Sequence, residues 1–160
     1  MKILFVCTGN VFRSMSAHHC FLSYTKQHKI NDFYVSSAGT NPHFEGIDAN
    51  VIKKLAQLGI DASLHVPRKI DEHIIKNNDI IVSMSTDHKE FLKENFNIDS
   101  YLFNEIAYNL KTPILDNWEV IKDYKTNKSA FDDYNSQVVE YIYVSMPYFV
   151  KNLINMLQNK

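Results

Sequence analysis

Lys2-Ile3-Leu4-Phe5-Val6-Cys7-Thr8-Gly9-Asn10-Val11-Phe12-Arg13-Ser14 is the stretch from which the rest of the chain can be read. Ile3 to Val6 is an unbroken apolar run, the pattern of a strand covered on both faces. Cys7 ends the run, and Arg13-Ser14 enters a helix after a short loop. Such a loop can curl until its backbone N–H groups and the arginine fork face one point above the sulfur. The group that fits there is anionic and tetrahedral, and Cys7 is placed to attack it. Thr8, Gly9, Asn10, Val11, Phe12, Arg13 and Ser14 are therefore read as a phosphate-binding loop. Gly9 allows close backbone approach, and Asn10 tolerates a left-handed conformation. Arg13 can grip two phosphate oxygens at once, which a lysine cannot reproduce. The Ser14 hydroxyl is placed to hydrogen-bond the sulfur and help it leave a phosphoenzyme.

Outward from this loop, strands and helices alternate. Ser14 to about His28 carries Ala17, Phe21, Leu22 and Tyr24 at helical spacing, and Phe33 to Ser36 reads as a second strand. Ser37-Ala38-Gly39-Thr40-Asn41-Pro42 reads as a turn-rich loop. Asp48 and Asp71 can each cap a following helix, the first ending at Gly59. Asp79 to Met84 is a third strand with an apolar run at its centre, Thr86 to Asn95 a helix, and Tyr101 to Phe103 a short fourth strand. Residues 104–127 have no clear period and read as a long functional loop with short helical pieces. From Ser129, Phe131, Tyr134, Val138, Ile142, Phe149 and Leu153 mark a terminal helix, which Pro147 should kink or restart. The expected architecture is α/β: one single-domain, four-stranded parallel sheet over residues 1–160, with helices on both faces and flavodoxin-like topology. Ligands of such sheets sit beyond the carboxyl ends of the strands, where Cys7 falls.

Composition narrows the function classes. With 160 residues, 45% of them hydrophobic, the chain can bury a real core. A net charge of −1, with no long run of one sign, offers no footprint for nucleic acid. The apolar run at Ile3–Cys7 is too short for a signal peptide or a membrane span. Cys7 and Cys20 cannot build a disulfide framework, and no Cys/His spacing suggests zinc. A reduced, cytoplasmic protein with no metal or cofactor is expected, acting as a monomer or weak dimer without a nucleic-acid or membrane partner.

Cys7-Thr8-Gly9-Asn10-Val11-Phe12-Arg13-Ser14 resembles the signature of the low-molecular-weight protein tyrosine phosphatases: Cys, five residues, Arg, then Ser or Thr, after an N-terminal strand. The resemblance implies hydrolysis of phosphotyrosine esters through a cysteinyl-phosphate intermediate, with a phosphotyrosine protein as substrate and phosphate or another oxyanion in the loop. It extends to Ser37-Ala38-Gly39-Thr40 and to His65, and implies that Ser37 and His65 brace Asn10. By position in the family, His43, Phe44 and one of Trp118 or Tyr124 should line the pocket entrance. The family's general acid is an Asp followed by Pro in a late loop, and this chain has no Asp-Pro. Asp116 and Asp123 are the two candidates. Counting forward from Leu102-Phe103 favours Asp116; counting back from the terminal helix favours Asp123, as does its preceding Val-Ile. The reading leans to Asp123. Asp87-His88 reads only as the beginning of a helix.

Three rival functions are weighed. Thioredoxin-coupled arsenate reductases share the fold but need further cysteines to take up the oxidised sulfur, and here the other thiol is Cys20. Relatives that hydrolyse phosphoarginine carry Thr where this chain has Val11, so Val11 tips the reading towards phosphotyrosine. A non-catalytic binder of phosphorylated proteins would keep the loop and lack a working acid. Phe12 stands where the family often has a second loop cysteine, which rules out a protective disulfide within the loop.

Overall fold

The alternating apolar runs assemble into one parallel sheet of order β2-β1-β3-β4. The computed structural model describes residues 1–42 and 46–158. Its elements are β1 (Lys2–Cys7), α1 (Arg13–Gln27), β2 (Tyr34–Gly39), α2 (Ala49–Gln57), α3 (Glu72–Lys76), β3 (Ile80–Ser83), α4 (Thr86–Phe96), β4 (Tyr101–Leu102), α5 (Phe103–Tyr108), α6 (Asn117–Val120) and α7 (Lys128–Gln158). Asp48 caps α2 by accepting the Asn50 N–H at 2.7 Å, and Asp71 caps α3 through the Ile74 N–H at 2.7 Å. Both caps match the sequence expectation.

The pleat of β1 explains why its sequence is apolar throughout. Ile3, Phe5 and Cys7 face one layer, whose core is closed by side chains of α1, α2, α5 and α7. Leu4 and Val6 face the other, with Ala38, Ile81, Ile75 of α3 and Leu92 of α4. Helices therefore cover both faces, and β1, at the sheet's centre, is buried from Ile3 to Cys7. In the larger layer Phe5 meets Phe21, Phe103 and Phe149, and the rings of Phe103 and Phe149 stack at 4.8 Å. Phe149 is fully buried among them. Phe149→Ala is expected to destabilise the fold by about 3–5 kcal/mol, read as a lower urea midpoint with the slope unchanged.

Three boundaries differ from the sequence reading. β2 runs on through Ser37, Ala38 and Gly39, which pair with Phe5, Val6 and Cys7 instead of turning. Gly39 marks a close approach, because a Cβ there would lie 2.5 Å from the Thr8 carbonyl oxygen. Phe103 opens α5 instead of ending β4. Pro147 neither ends nor restarts α7, which is one helix from Lys128 to Gln158. The carbonyl that loses its partner there belongs to Tyr143, on an exposed turn, while Met146, Phe149 and Val150 keep the other face in the core. Within 104–127 the short helical pieces are α5 and α6.

Candidate active site

β1 delivers Cys7 to the carboxyl edge of the sheet, and the chain curls back through 8–12 into α1. No side chain caps α1: its N-cap is Phe12, a buried core residue. The first amides of the helix are thus left facing the loop. Asn10 takes the left-handed conformation, φ 55°, and its N–H donates to Cys7 Sγ at 3.3 Å. Ser14 Oγ lies 2.9 Å from the same sulfur. Cys7, Asn10, Arg13 and Ser14 are all buried.

The Asn10 side chain is tied on every side. Its amide donates to Ser14 Oγ at 3.0 Å and to Ser37 Oγ at 2.9 Å. Its side-chain oxygen accepts the Arg68 N–H at 3.1 Å. His65 Nε2 donates to the Asn10 carbonyl at 2.9 Å, and His18 Nδ1 rests 3.2 Å from Ser37 Oγ. Ser37 and His65 thus both touch Asn10, which fixes a residue of unfavourable φ from two elements at once. Burial holds the His65 pKa below its usual value and pushes His18 down to about 3.

His88, read from sequence only as part of a helix start, has a second role in the structure. It is the third residue of α4, and its Nδ1 accepts the Ser85 N–H at 3.1 Å, as in a capping box. That bond fixes the tautomer: Nε2 carries the proton and donates to Thr8 Oγ1 at 3.0 Å. Burial, then the positive charge of Arg13, push its pKa down to about 3. The exposed Asp87 carboxylate, 3.5 Å from Nε2, is too well solvated to reverse this. A histidine held neutral in the fold binds a proton more readily once unfolded, so its contribution is lost as pH falls from 6.5 towards 3. Each pH unit in that window should cost about 1.4 kcal/mol. Urea midpoints of the intact protein and His88→Gln should converge between pH 7.5 and pH 5.

Arg13 is clamped from the far side of the loop. Ile114 N–H donates to the Met84 carbonyl at 2.8 Å, which carries residues 114–116 across the end of β3. There Arg13 Nη1 donates to the Ile114 carbonyl at 2.9 Å, and Nη2 pairs with Asp116 Oδ2. Arg13 Nε is buried and has no hydrogen-bond partner among the described residues. An orphan donor on a buried guanidinium is costly unless an anion takes it.

The two aspartates separate here. Asp116 caps α6 through the Asn117 N–H at 2.8 Å and shares its other oxygen with Arg13. Asp123, the favoured candidate from sequence, is an exposed turn residue whose carbonyl accepts the Thr126 and Asn127 N–H groups at 2.9 Å. Its carboxylate makes no hydrogen bond or ion pair among the described residues. The path of 114–116 past Met84, invisible to residue counting, brings Asp116 to the loop, while Asp123 lies in an exposed turn. Trp118 lies in α6, two residues from Asp116 and 54% exposed, while Tyr124 is exposed with Lys125 over its ring. His43 and Phe44 lie outside the described residues.

Two supports of the acidic loop went unread in the sequence. Tyr134 of α7 donates its hydroxyl to the Leu115 carbonyl at 3.0 Å, and Asn117 Nδ2 donates to Asn135 Oδ1 at 3.0 Å. In the sequence Tyr134 reads only as one of the apolar positions of the terminal helix.

The family model described as low molecular weight phosphotyrosine protein phosphatase matches residues 2–155. An arsenate reductase from Staphylococcus aureus is 38% identical over 85 residues, 53% of this chain and 60% of that protein's length. A low molecular weight protein tyrosine phosphatase from T. tengcongensis superposes with a TM-score of 0.78 at 23% identity, over 94% of this chain and 98% of its own. The YwlE arginine phosphatase from Geobacillus stearothermophilus gives 0.79 at 18% identity, over 99% and 96%. These two likenesses establish the shared fold.

Proposed function

Because the chain belongs to the low molecular weight phosphotyrosine protein phosphatase family, we propose that it hydrolyses phosphotyrosine in proteins through a phosphate ester of Cys7. The observation that carries this reading is the buried Arg13 Nε without a partner, beside a sulfur that accepts the Asn10 N–H and touches Ser14. A phosphate dianion held by Arg13 and the loop amides places its phosphorus above Cys7 Sγ. The sulfur attacks phosphorus and the P–O bond to the aryl group breaks, while Asp116 gives its proton to the leaving oxygen. Water then attacks the cysteinyl phosphate and returns a proton to Asp116. The P–S bond breaks, and Ser14 stabilises the departing thiolate. No metal or cofactor is needed in any step. The two buried, unpaired thiols fit a reducing cytoplasm, and among the described residues no helix is long and apolar enough to cross a membrane.

Arsenate reduction fits the residues less well. The sequence's other thiol, Cys20, is buried in the core, and burial pushes its pKa up to about 12. It is poorly placed to act as a resolving nucleophile. Exposed Trp118 beside Asp116 supports an aryl substrate, as does apolar Val11 in the loop. The test offers phosphotyrosine peptide, phosphoarginine and arsenate with thioredoxin to the same preparation. Release of phosphate from phosphotyrosine at least tenfold faster than from phosphoarginine supports the reading. The reverse order would transfer the protein to arginine phosphatases, and arsenite production to the reductases.

A further inference from the structure

Behind the loop, three imidazoles converge. His18 and His19 are consecutive on α1, positions that ordinarily point apart. Here their rings stack at 4.8 Å, and both meet His65, which arrives from the segment between α2 and α3. One nitrogen from each of the three rings lies within 4.8 Å of the others. We propose that His18, His19 and His65 form a binding site for a zinc-class divalent cation, one hydrogen bond away from the phosphate loop.

The donor set and its spacing suit that ion. Three imidazoles with a fourth position open to water is a common zinc arrangement, and imidazole favours zinc, copper and nickel over magnesium or calcium. His19 Nε2 and His65 Nδ1 are 3.2 Å apart. Two nitrogens on one tetrahedral zinc stand about 3.3 Å apart. The tautomer of His65 is also correct. The Asn10 carbonyl can only accept, so Nε2 carries the proton and Nδ1 presents its lone pair to the cluster. A ligating histidine whose other nitrogen donates to a backbone carbonyl is the usual outer shell of a metal site.

Charge and access can be weighed from the surroundings. Arg68 faces His18 and His65 and works against a cation, although its Nε is engaged by the Ser37 carbonyl at 2.7 Å. Asp61 faces His19 and works for a cation, its carboxylate fixed by Ser63. Leu64 and Val66, on either side of His65, are 90% and 76% exposed, so the groove over the cluster opens to solvent.

The test titrates zinc chloride into Cys7→Ser protein against a chromophoric chelator. That background removes the reactive thiol that would otherwise compete for zinc. One zinc per chain is expected. Adding His19→Ala should weaken binding by about 100-fold or more, since even the loss of an outer-shell partner costs 10–100-fold. His19→Ala in the otherwise intact chain should keep its turnover of p-nitrophenyl phosphate in the presence of a chelator, which shows that the fold and loop survive. Failure of Cys7→Ser to bind zinc, or equal affinity with and without His19, would overturn the proposal.

Discussion

Cys7→Ser is expected to lower turnover of p-nitrophenyl phosphate by about 10⁴-fold or more while leaving phosphate binding intact. Loss of an enzymatic nucleophile typically costs at least that much, because the serine hydroxyl that replaces the sulfur is a far weaker nucleophile. The donors proposed to hold the anion are elsewhere: the loop amides and Arg13, clamped through Nη1 on Ile114 and Nη2 on Asp116. Phosphate should therefore still raise the melting temperature of the variant, since it binds the folded loop and not the unfolded chain. Turnover within tenfold of the intact protein would place the nucleophile elsewhere.

The second large effect is assigned to Asp116. Asp116→Asn should slow hydrolysis of phenyl phosphate by about 10²–10⁴-fold, the usual contribution of a positioned general acid. Asp123→Asn should leave it nearly unchanged. Asp116 also pairs with Arg13, so a loss of rate has two explanations that must be told apart. If Asp116 protonates the leaving group, its loss hurts poor leaving groups most, and the deficit steepens from p-nitrophenyl to phenyl phosphate. If it only holds Arg13, the deficit is the same for every leaving group and KM rises. Tyr134 and Asn135 should act through it, because one holds the Leu115 carbonyl and the other the Asn117 side chain, on either side of Asp116.

The loop was legible in sequence because its chemistry is local. An apolar run, a thiol, a short glycine-containing loop and Arg-Ser specify strand, anion nest and helix within thirteen residues. The sheet was legible for a similar reason: strands buried on both faces are apolar along their whole length. What escaped depends on contacts between distant segments. Ser37 to Gly39 carry turn-forming residues, yet Gly39 is needed for close packing under Thr8 within a strand. Nothing periodic marks 111–116, whose course is fixed by bonds to distant Met84, Arg13 and Tyr134, so which aspartate meets the loop was beyond residue counting. His88 obeys the helix-start rule that its sequence suggests, while its other nitrogen reaches back across eighty residues to Thr8. The histidine trio is likewise assembled only by folding, with His19 and His65 separated by 46 positions.

The proposed covalent step at Cys7 is open to direct observation. Protein quenched in acid during turnover of p-nitrophenyl phosphate, then digested and analysed by mass spectrometry, should carry phosphate on the peptide containing Cys7, with fragmentation placing it on sulfur. Sustained turnover with no phosphate on that peptide, or with phosphate on another residue, would contradict the mechanism.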